Sequence, residues 1–426
     1  MSRKLLDDCF LHDKDRLTHD EVLGILRERL TCVAAREDVA LAQATGRIAA
    51  CDVRAPRNVP GADNSAVDGY AFRHADLNEG AETPLFVAMR IAAGHPATEA
   101  LPENAAARIF TGAVMPAGAD TVAMQEDCTI SQADGIGDAT QVTIPPGLKP
   151  GANRRRAGED LSEGATLIDP GRILRPQDVA AAASVGRGSL SVHAKLKVAV
   201  FSSGDEIVVP GNALGDGQVY DSNRPLLTSL LATLPVEVDD LGILPDTGEA
   251  MRAALSKAAG TADVILTTGG ASRGEEDHLI ESLDALGKRH LWQIAIKPGR
   301  PMAMGQIGDT AVFGLPGNPV AAFVCFLLYV RPSLLRLGGA NWSEPRRFLL
   351  PAAFEIAKKK PDRREFLRGM LVPGHDGLAV DKFARDGSGL ISGLRAADGL
   401  IEIPEEATSV ARGEPVAFIP FSELGV

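Results

Sequence analysis

Ala262–Asp277 reads ADVILTTGGASRGEED. Val264-Ile265-Leu266 is apolar and β-branched, too short a run for a helix, and fits a buried strand. Thr267-Thr268-Gly269-Gly270 follows at its carboxyl end, where Gly269 and Gly270 leave bare backbone N–H groups that can approach an anion closely. Acidic residues then open a helix, with Asp277 in its first turn. Ligands of open α/β sheets bind outside the carboxyl ends of the strands. Backbone donors, hydroxyls and a carboxylate therefore converge where a phosphate and a metal ion could sit together. A single loop of this kind is explained better by turn geometry alone; its recurrence changes the balance.

The surrounding residues 196–338 repeat the design. The expected strands are Lys197–Phe201, Val236–Val238, Asp263–Leu266, Leu291–Ile296 and Ala311–Phe313. The expected helices are Pro225–Leu234, Gly248–Ala259, Asp277–Leu286 and Pro319–Leu337. Such alternation predicts βαβ units and a mostly parallel sheet. Four loops share small and polar residues between a strand and a helix: Ser202-Ser203-Gly204-Asp205-Glu206, Tyr220-Asp221-Ser222-Asn223-Arg224, the Gly269-Gly270-Ala271-Ser272 turn, and Gly314-Leu315-Pro316-Gly317-Asn318-Pro319. In the last, Asn318 suits an N-cap and Pro319 the first helical position. Helix N-termini attract phosphate-like anions. Capping accounts for any one loop as well; four in one sheet favour a phosphorylated, nucleotide-like or pterin-like ligand. Glu206, Asp246 and Asp277 are carboxylates in or near these loops, and Mg²⁺ takes one or two carboxylates plus substrate phosphates. The alternative is helix capping, strongest for Asp246. Lys297 and Arg300, in Ile296–Pro301, suit an anion or a solvated turn equally.

The flanks differ. Thr18-His19-Asp20-Glu21 is a capping box opening a helix from about Asp20 to Leu30, followed by a β-like stretch to Val53. Residues 57–150 carry short strand candidates (Leu85–Ile91, Ala107–Phe110, Thr121–Met124) and no convincing helix. Asp178–Val185 reads as a helix. After Gly338-Gly339, Arg347–Ile356, Glu365–Val372, Leu378–Phe383 and Pro415–Ile419 are strand-like, again with no helix evident. The expected domains are 1–56 with 151–195 (a discontinuous linking domain), 57–150 (an inserted β-rich domain), 196–338 (α/β) and 339–426 (a small β-barrel).

Composition sets limits. Of 426 residues 45% are hydrophobic, enough for a sizeable core, and a net charge of −12 argues against general nucleic-acid binding. The five cysteines (Cys9, Cys32, Cys51, Cys128, Cys325) are scattered without a CxxC pair. A disulfide framework or zinc site is not expected, and a reducing cytoplasm fits. No signal peptide is apparent, and the longest apolar run, Val320–Val330, is too short to span a bilayer, so no membrane role is expected.

Taken together, NSAVDGYAF (64–72), RIFTGAVMP (108–116), RRRAGEDL (154–161), SSGDEIVVPG (202–211), YDSNRPLL (220–227), TTGGASRGEED (267–277), AIKPGRP (295–301) and GLPGNPVAA (314–322) resemble the molybdopterin molybdenumtransferase family, which includes the E domain of gephyrin. The resemblance covers nearly the whole chain in order. It implies a cytoplasmic homodimer whose active cleft is completed by the other subunit, with a molybdopterin-binding domain at about 196–338. The implied reaction consumes adenylylated molybdopterin and molybdate with Mg²⁺; AMP leaves and molybdenum enters the dithiolene. Transient contact with molybdopterin adenylyltransferase and downstream cofactor-processing enzymes is implied as well.

By motif position, Asp68, Thr111, Arg155 and Asp160 should face the cleft from the N-terminal half, and Asp246 matches a further family acid. Asp68, Thr111, Asp160, Glu206, Asp246 and Asp277 form the expected catalytic set, with Glu206 and Asp277 for the metal. Arg155, Ser203, Gly204, Asn223, Gly269, Gly270, Ser272, Lys297, Arg300, Pro316, Gly317, Asn318 and Pro319 form the expected ligand-binding set. Gln293 stands where the family often has a second lysine, Arg300 replaces a frequent lysine, and Arg273 adds a cation to the Gly-rich loop. Two alternatives share the pattern: an adenylyltransferase or nucleotide hydrolase on the same α/β domain, and a non-catalytic scaffold. The extra N- and C-terminal domains disfavour the first, the retained carboxylates the second.

Overall fold

Alternation along the strands of residues 196–315 builds the central layer. The computed structural model describes residues 16–132, 140–269, 278–375 and 377–426. Six strands form one sheet: β1 (Leu196–Ser203), β2 (Val236–Leu244), β3 (Val264–Thr268), β4 (Lys288–Gln293), β5 (Pro301–Ile307) and β6 (Thr310–Leu315), in the order β2-β1-β3-β6-β5-β4. The β1–β2, β1–β3 and β3–β6 pairings are parallel. The β5–β6 and β4–β5 pairings are antiparallel.

Because side chains alternate across a strand, each strand feeds two cores. Val198, Val200, Leu266 and Phe313 pack on one face with helices α1 (His19–Arg29) and α2 (Asn223–Leu231) and the apolar helical stretch 319–337. Ala199, Phe201, Ile265 and Val312 pack on the other with α3 (Gly248–Ala259) and α4 (His278–Leu286). Burial on both faces explains why β1 and β3 read as continuous apolar runs. Burying each large side chain contributes roughly 1.5–3 kcal/mol. The chain leaves β1 for β2 on one side and then crosses from β2 to β3 on the other side of β1, so the direction reverses between β1 and β3, and the crevice at their carboxyl ends is where such sheets take ligands.

The capping box at α1 is present. Thr18 Oγ1 accepts from the Glu21 N–H at 3.3 Å, and the Glu21 carboxylate accepts from the Thr18 N–H at 2.8 Å. The apolar helix is longer than its 320–330 core. It runs Pro319–Leu337, long and apolar enough to cross a bilayer, yet 78% of its apolar window is buried inside the protein. It widens to a π-turn at Phe326–Val330. Pro332 lacks an N–H and its ring would press on the carbonyl four residues back, so the turn before it must open.

A second six-stranded sheet runs in the order Ile296–Lys297, Arg364–Gly374, Gly399–Ile403, Pro415–Pro420 and Phe348–Pro351, with Gly377–Lys382 paired to Arg364–Gly374. A bridge between Ala352 and Val380 joins the chain just beyond Phe348–Pro351 to the Gly377–Lys382 strand. By contact density the chain divides into two compact units: Met1–Cys51 with Pro170–Leu174 and Ser191–Val426, which holds both of these sheets, and Asp52–Asp169 with Arg175–Leu190. The second unit has its own six-stranded sheet, centred on Gly69–Phe72, Ala105–Ile109 and Thr83–Ile91, and the helix Pro176–Ser184.

Several expectations are corrected. The expected strand Leu291–Ile296 is two strands in two sheets: β4 ends at Gln293, and Ile296–Lys297 pairs with Arg364–Glu365. Strand β5, PMAMGQI, escaped notice because it opens on Pro, carries a Gly and holds few β-branched residues. The C-terminal segment does contain a helix, Ile391–Ala396, too short to show a helical period. Asn223 and Arg224 already belong to α2, which starts two residues before the expected Pro225.

Candidate functional site

A cavity of about 640 Å³ opens at the carboxyl ends of β1, β3 and β6. Ser202 and Ser203 end β1 and line it, as do Thr268 and Gly269 at the end of β3 and Pro316, Gly317, Asn318 and Pro319 after β6. Asn223, first residue of α2 and 8% exposed, ties these ends together. Its Nδ2 donates to Thr268 Oγ1 at 2.8 Å and to the Gly317 carbonyl at 2.6 Å. Thr268 Oγ1 in turn donates to the Pro316 carbonyl at 3.2 Å. Gly269 has φ +88°, and a Cβ there would collide with the Ser203 carbonyl, so only glycine permits the turn.

The polar atoms left over are the informative ones. Among the described residues, Ser202 Oγ, Ser203 Oγ, Asn223 Oδ1 and the adjacent Thr267 Oγ1 are buried without a hydrogen-bond partner. Each such atom costs about 1–3 kcal/mol. A cluster of them beside a cavity is what a binding site for a polar ligand leaves open.

The first two loops are corrected together. Ser202–Glu206 does not lead into a helix; Ile207–Val208 pairs with Val219–Tyr220, and α2 begins only after the second loop. They are the two ends of one β1-to-α2 connection, which brings Glu206, Asp221 and Asn223 to one wall. Asp221 is structural: its carboxylate accepts from the Arg224 backbone N–H at 3.1 Å and pairs with the Arg224 guanidinium at 3.2 Å. Glu206 is different. Its carboxylate lines the cavity, no ion pair holds it among the described residues, and a side chain at Gly204 would run into it. Asp246 lies beyond the end of β2, where its backbone N–H donates to Asp205 Oδ1 at 3.2 Å. The cap of α3 is Thr247, not Asp246. Asn318 holds the cap position of its helix without using its side chain for the cap, leaving that amide to the cavity. Gly270, Ser272, Arg273 and Asp277 lie outside the described residues.

A second cavity, of about 440 Å³, shares Pro301, Pro316 and Asn318 with the first. Its lining includes Arg16, Lys297, Arg300, Arg363, Arg368 and Lys382 against a single carboxylate, Asp386. Lys297 lies 3.3 Å from the buried Glu365, which also holds Arg363 at 2.9 Å. Arg300 donates to Gln293 Oε1 at 3.2 Å, so the residue that departs from the family pattern positions the neighbouring guanidinium. Arg368 is clamped by the Leu390 and Arg385 carbonyls at 3.0 and 2.7 Å, and burial lowers its pKa. Lys297 and Arg300 were expected here. Arg363, Arg368, Lys382 and Ser388 were not, since they lie more than 60 residues further along the chain and no local motif marks them.

In the other unit, two expected residues meet. Asp68 accepts from the Thr111 backbone N–H at 2.8 Å and from its hydroxyl at 2.7 Å. These bonds, the backbone one first, hold the Asp68 carboxyl below its ordinary pKa. Pairing of Asn64–Ser65 with Arg154–Arg155 brings the 63–70 and 154–160 stretches together, with Asp63 accepting from the Ala157 N–H at 2.8 Å. Arg155 and Asp160 are both exposed on that pair of loops.

Three family models match the chain: the MoeA N-terminal region (domains I and II) over 17–186, a probable molybdopterin binding domain over 199–336, and the MoeA C-terminal region (domain IV) over 350–421. A molybdopterin molybdenumtransferase of Haemophilus influenzae is 38% identical over 96% of this chain and 99% of its own. Molybdopterin molybdenumtransferase 2 of Mycobacterium tuberculosis is 33% identical over 88% and 92%. The crystal structure of a molybdopterin biosynthesis MoeA protein from Pyrococcus horikoshii superposes with a TM-score of 0.80 at 28% identity, covering 95% of this chain and all of that one.

Proposed function

The chain belongs to the molybdopterin molybdenumtransferase family, and from that premise we propose that it is the transferase that inserts molybdenum from molybdate into adenylylated molybdopterin. The observation that carries this reading is the row of buried, partnerless hydroxyl and amide atoms at the carboxyl ends of β1 and β3. Those atoms and the Gly269 turn form a cradle for the ligand's phosphates. The adjoining cationic cavity then takes the molybdate dianion, with Lys297, Arg300 and Arg368 around it.

Mg²⁺ fits this donor set as a partner of the substrate. Among the described residues no group of three acidic, His or Cys side chains forms a metal cage. One open carboxylate, Glu206, beside a phosphate cradle suits a hard cation that takes its remaining ligands from phosphate and water. Glu206 would hold it, with Asp277 as the second carboxylate. When bound, the ion neutralises charge on the phosphoanhydride. Asn223 fixes the distance between the ends of β3 and β6, Ser202 and Ser203 donate to phosphate oxygens, and the Gln293–Arg300 contact aims a guanidinium at the anion. The phosphoanhydride is cleaved with one water and AMP departs; molybdate is bound through the two dithiolene sulfurs, and one of its oxo groups leaves as water with the two thiol protons.

The remaining family features belong to the same proposal. The protein acts as a homodimer, Asp68, Thr111, Arg155 and Asp160 face the ligand from the partner subunit, and the C-terminal sheet closes into a small barrel. The test is AMP release from adenylylated molybdopterin. Release that requires both molybdate and Mg²⁺ supports the transferase. Consumption of ATP to adenylylate free molybdopterin, or no release from folded protein, contradicts it.

A further inference from the structure

Apart from both cavities above, α1, the helical turn at Arg331–Leu337 and the connection 341–347 enclose a third, of about 180 Å³. Its walls are largely apolar, from Leu23, Ile173, Leu327, Leu328, Leu335 and Leu424. Polar side chains interrupt them, and three of the lining residues carry a buried nitrogen without a hydrogen-bond partner among the described residues: His19 Nε2, Arg331 Nε and Trp342 Nε1. One such atom can be an imperfection of packing. Three on a single cavity, at about 1–3 kcal/mol each, mark a place where an acceptor is missing.

The charge balance gives the acceptor its sign. The carboxylates on this cavity are already engaged: Glu423 pairs with Arg346 at 2.6 Å, and Glu344 lies 3.8 Å from Arg347. No carboxylate pairs with Arg331 among the described residues, and burial lowers its pKa. A desolvated guanidinium without a counter-charge is a costly arrangement for a protein to keep for its fold alone. His19 adds a neutral donor. Tyr329 is fully buried, and burial raises the pKa of its phenol, so the hydroxyl keeps its proton. The hydroxyl lies 2.7 Å from His19 Nδ1, and with the phenol as donor in this contact the ring proton sits on Nε2.

We propose that this cavity binds a small carboxylic acid with an apolar body, its carboxylate on Arg331 and on the Trp342 and His19 N–H groups, its body against the leucines. The volume lies below the ~300 Å³ at which sites for drug-sized ligands begin, which points to a single-ring or short branched-chain acid and excludes a nucleotide.

The probe is 4-fluorobenzoate, titrated into the full chain and followed by its fluorine resonance, with 4-fluorobenzyl alcohol as the uncharged counterpart. The expected result is saturable binding of one acid per chain, at least tenfold tighter than the alcohol. Arg331→Met should weaken the acid at least tenfold while leaving the unfolding temperature unchanged or raised, because an unpaired buried charge is being replaced by an apolar chain. Trp342→Phe keeps the wall, removes one donor and should weaken the acid several-fold; it decides the matter if Arg331→Met does not fold. Absence of saturable binding, equal affinity for acid and alcohol, or unchanged acid affinity in the folded variants overturns the proposal.

Discussion

Around Arg364 charged side chains largely close one another off, Glu405 Oε1 excepted, whereas at the carboxyl ends of β1 and β3 several buried hydroxyls and an amide are left open together. Arg364 bonds Asp20 at 2.8 and 2.9 Å, Glu402 at 2.9 Å and Glu405 at 2.9 Å, and Arg347 adds a second cation to Glu402 at 2.7 Å. This cluster ties α1 to the C-terminal sheet. At the strand ends only Thr268 and the Asn223 Nδ2 are satisfied, while Ser202, Ser203 and the Asn223 Oδ1 face a cavity. Both regions are buried and polar. What separates holding the fold from receiving a ligand is whether the protein supplies the partners.

The comparison can be broken first at its closed end. Arg364→Met would strand Glu405 and leave Glu402 to Arg347 alone, with side chains only 21% and 7% exposed. Removing one partner of a buried pair costs about 3–5 kcal/mol. Urea unfolding should show that loss, while AMP release per folded molecule stays near wild type. At the open end the balance reverses. Asn223→Ala removes the tie between Thr268 and Gly317 and one ligand acceptor. AMP release should fall about 100-fold, equivalent to about 2.7 kcal/mol, with a smaller stability loss of about 1–2 kcal/mol from the broken hydrogen bonds.

His19 stands between the two classes, with one nitrogen satisfied and one open. Burial, reinforced by the Arg364 guanidinium, lowers its pKa from 6.5 to about 3. The unfolded chain therefore takes up a proton that the folded chain refuses. The stability linked to this group is fully present above pH 6.5 and is lost as pH falls toward 3, at about 1.4 kcal/mol per unit. Wild-type unfolding free energy should fall by about 2 kcal/mol more than that of His19→Gln between pH 6.5 and 5; parallel curves would remove His19 from the account.

Legibility in the sequence follows the same physics. The α1 capping box, α3 and the apolar runs of β1, β3 and β6 were readable because capping and two-sided burial are local signals. β5 was not, because its Met, Ala and Gly residues take their strand state from neighbours on either side. Gly269, Ser203, Asn223 and Asn318 were singled out through their loops and line one cavity, and Asp68 and Thr111 do meet. Arg363, Arg368 and Lys382 were invisible, because only the long-range pairing of Ile296–Lys297 with Arg364–Glu365 brings them beside Lys297. The paired loops at 202–206 and 220–224 looked like two strand-to-helix turns because sequence alone does not show that one connection returns to the same place.

The most direct test of the contrast is the Ser202→Ala/Ser203→Ala double variant. Neither hydroxyl has a partner among the described residues, so their removal should leave the unfolding midpoint unchanged or higher. Affinity for adenylylated molybdopterin, measured by titration calorimetry, should fall about tenfold, roughly 1.4 kcal/mol. Unchanged affinity, or a loss of stability with the ligand still bound as tightly, would show that the open atoms are not the ligand's and would contradict the account.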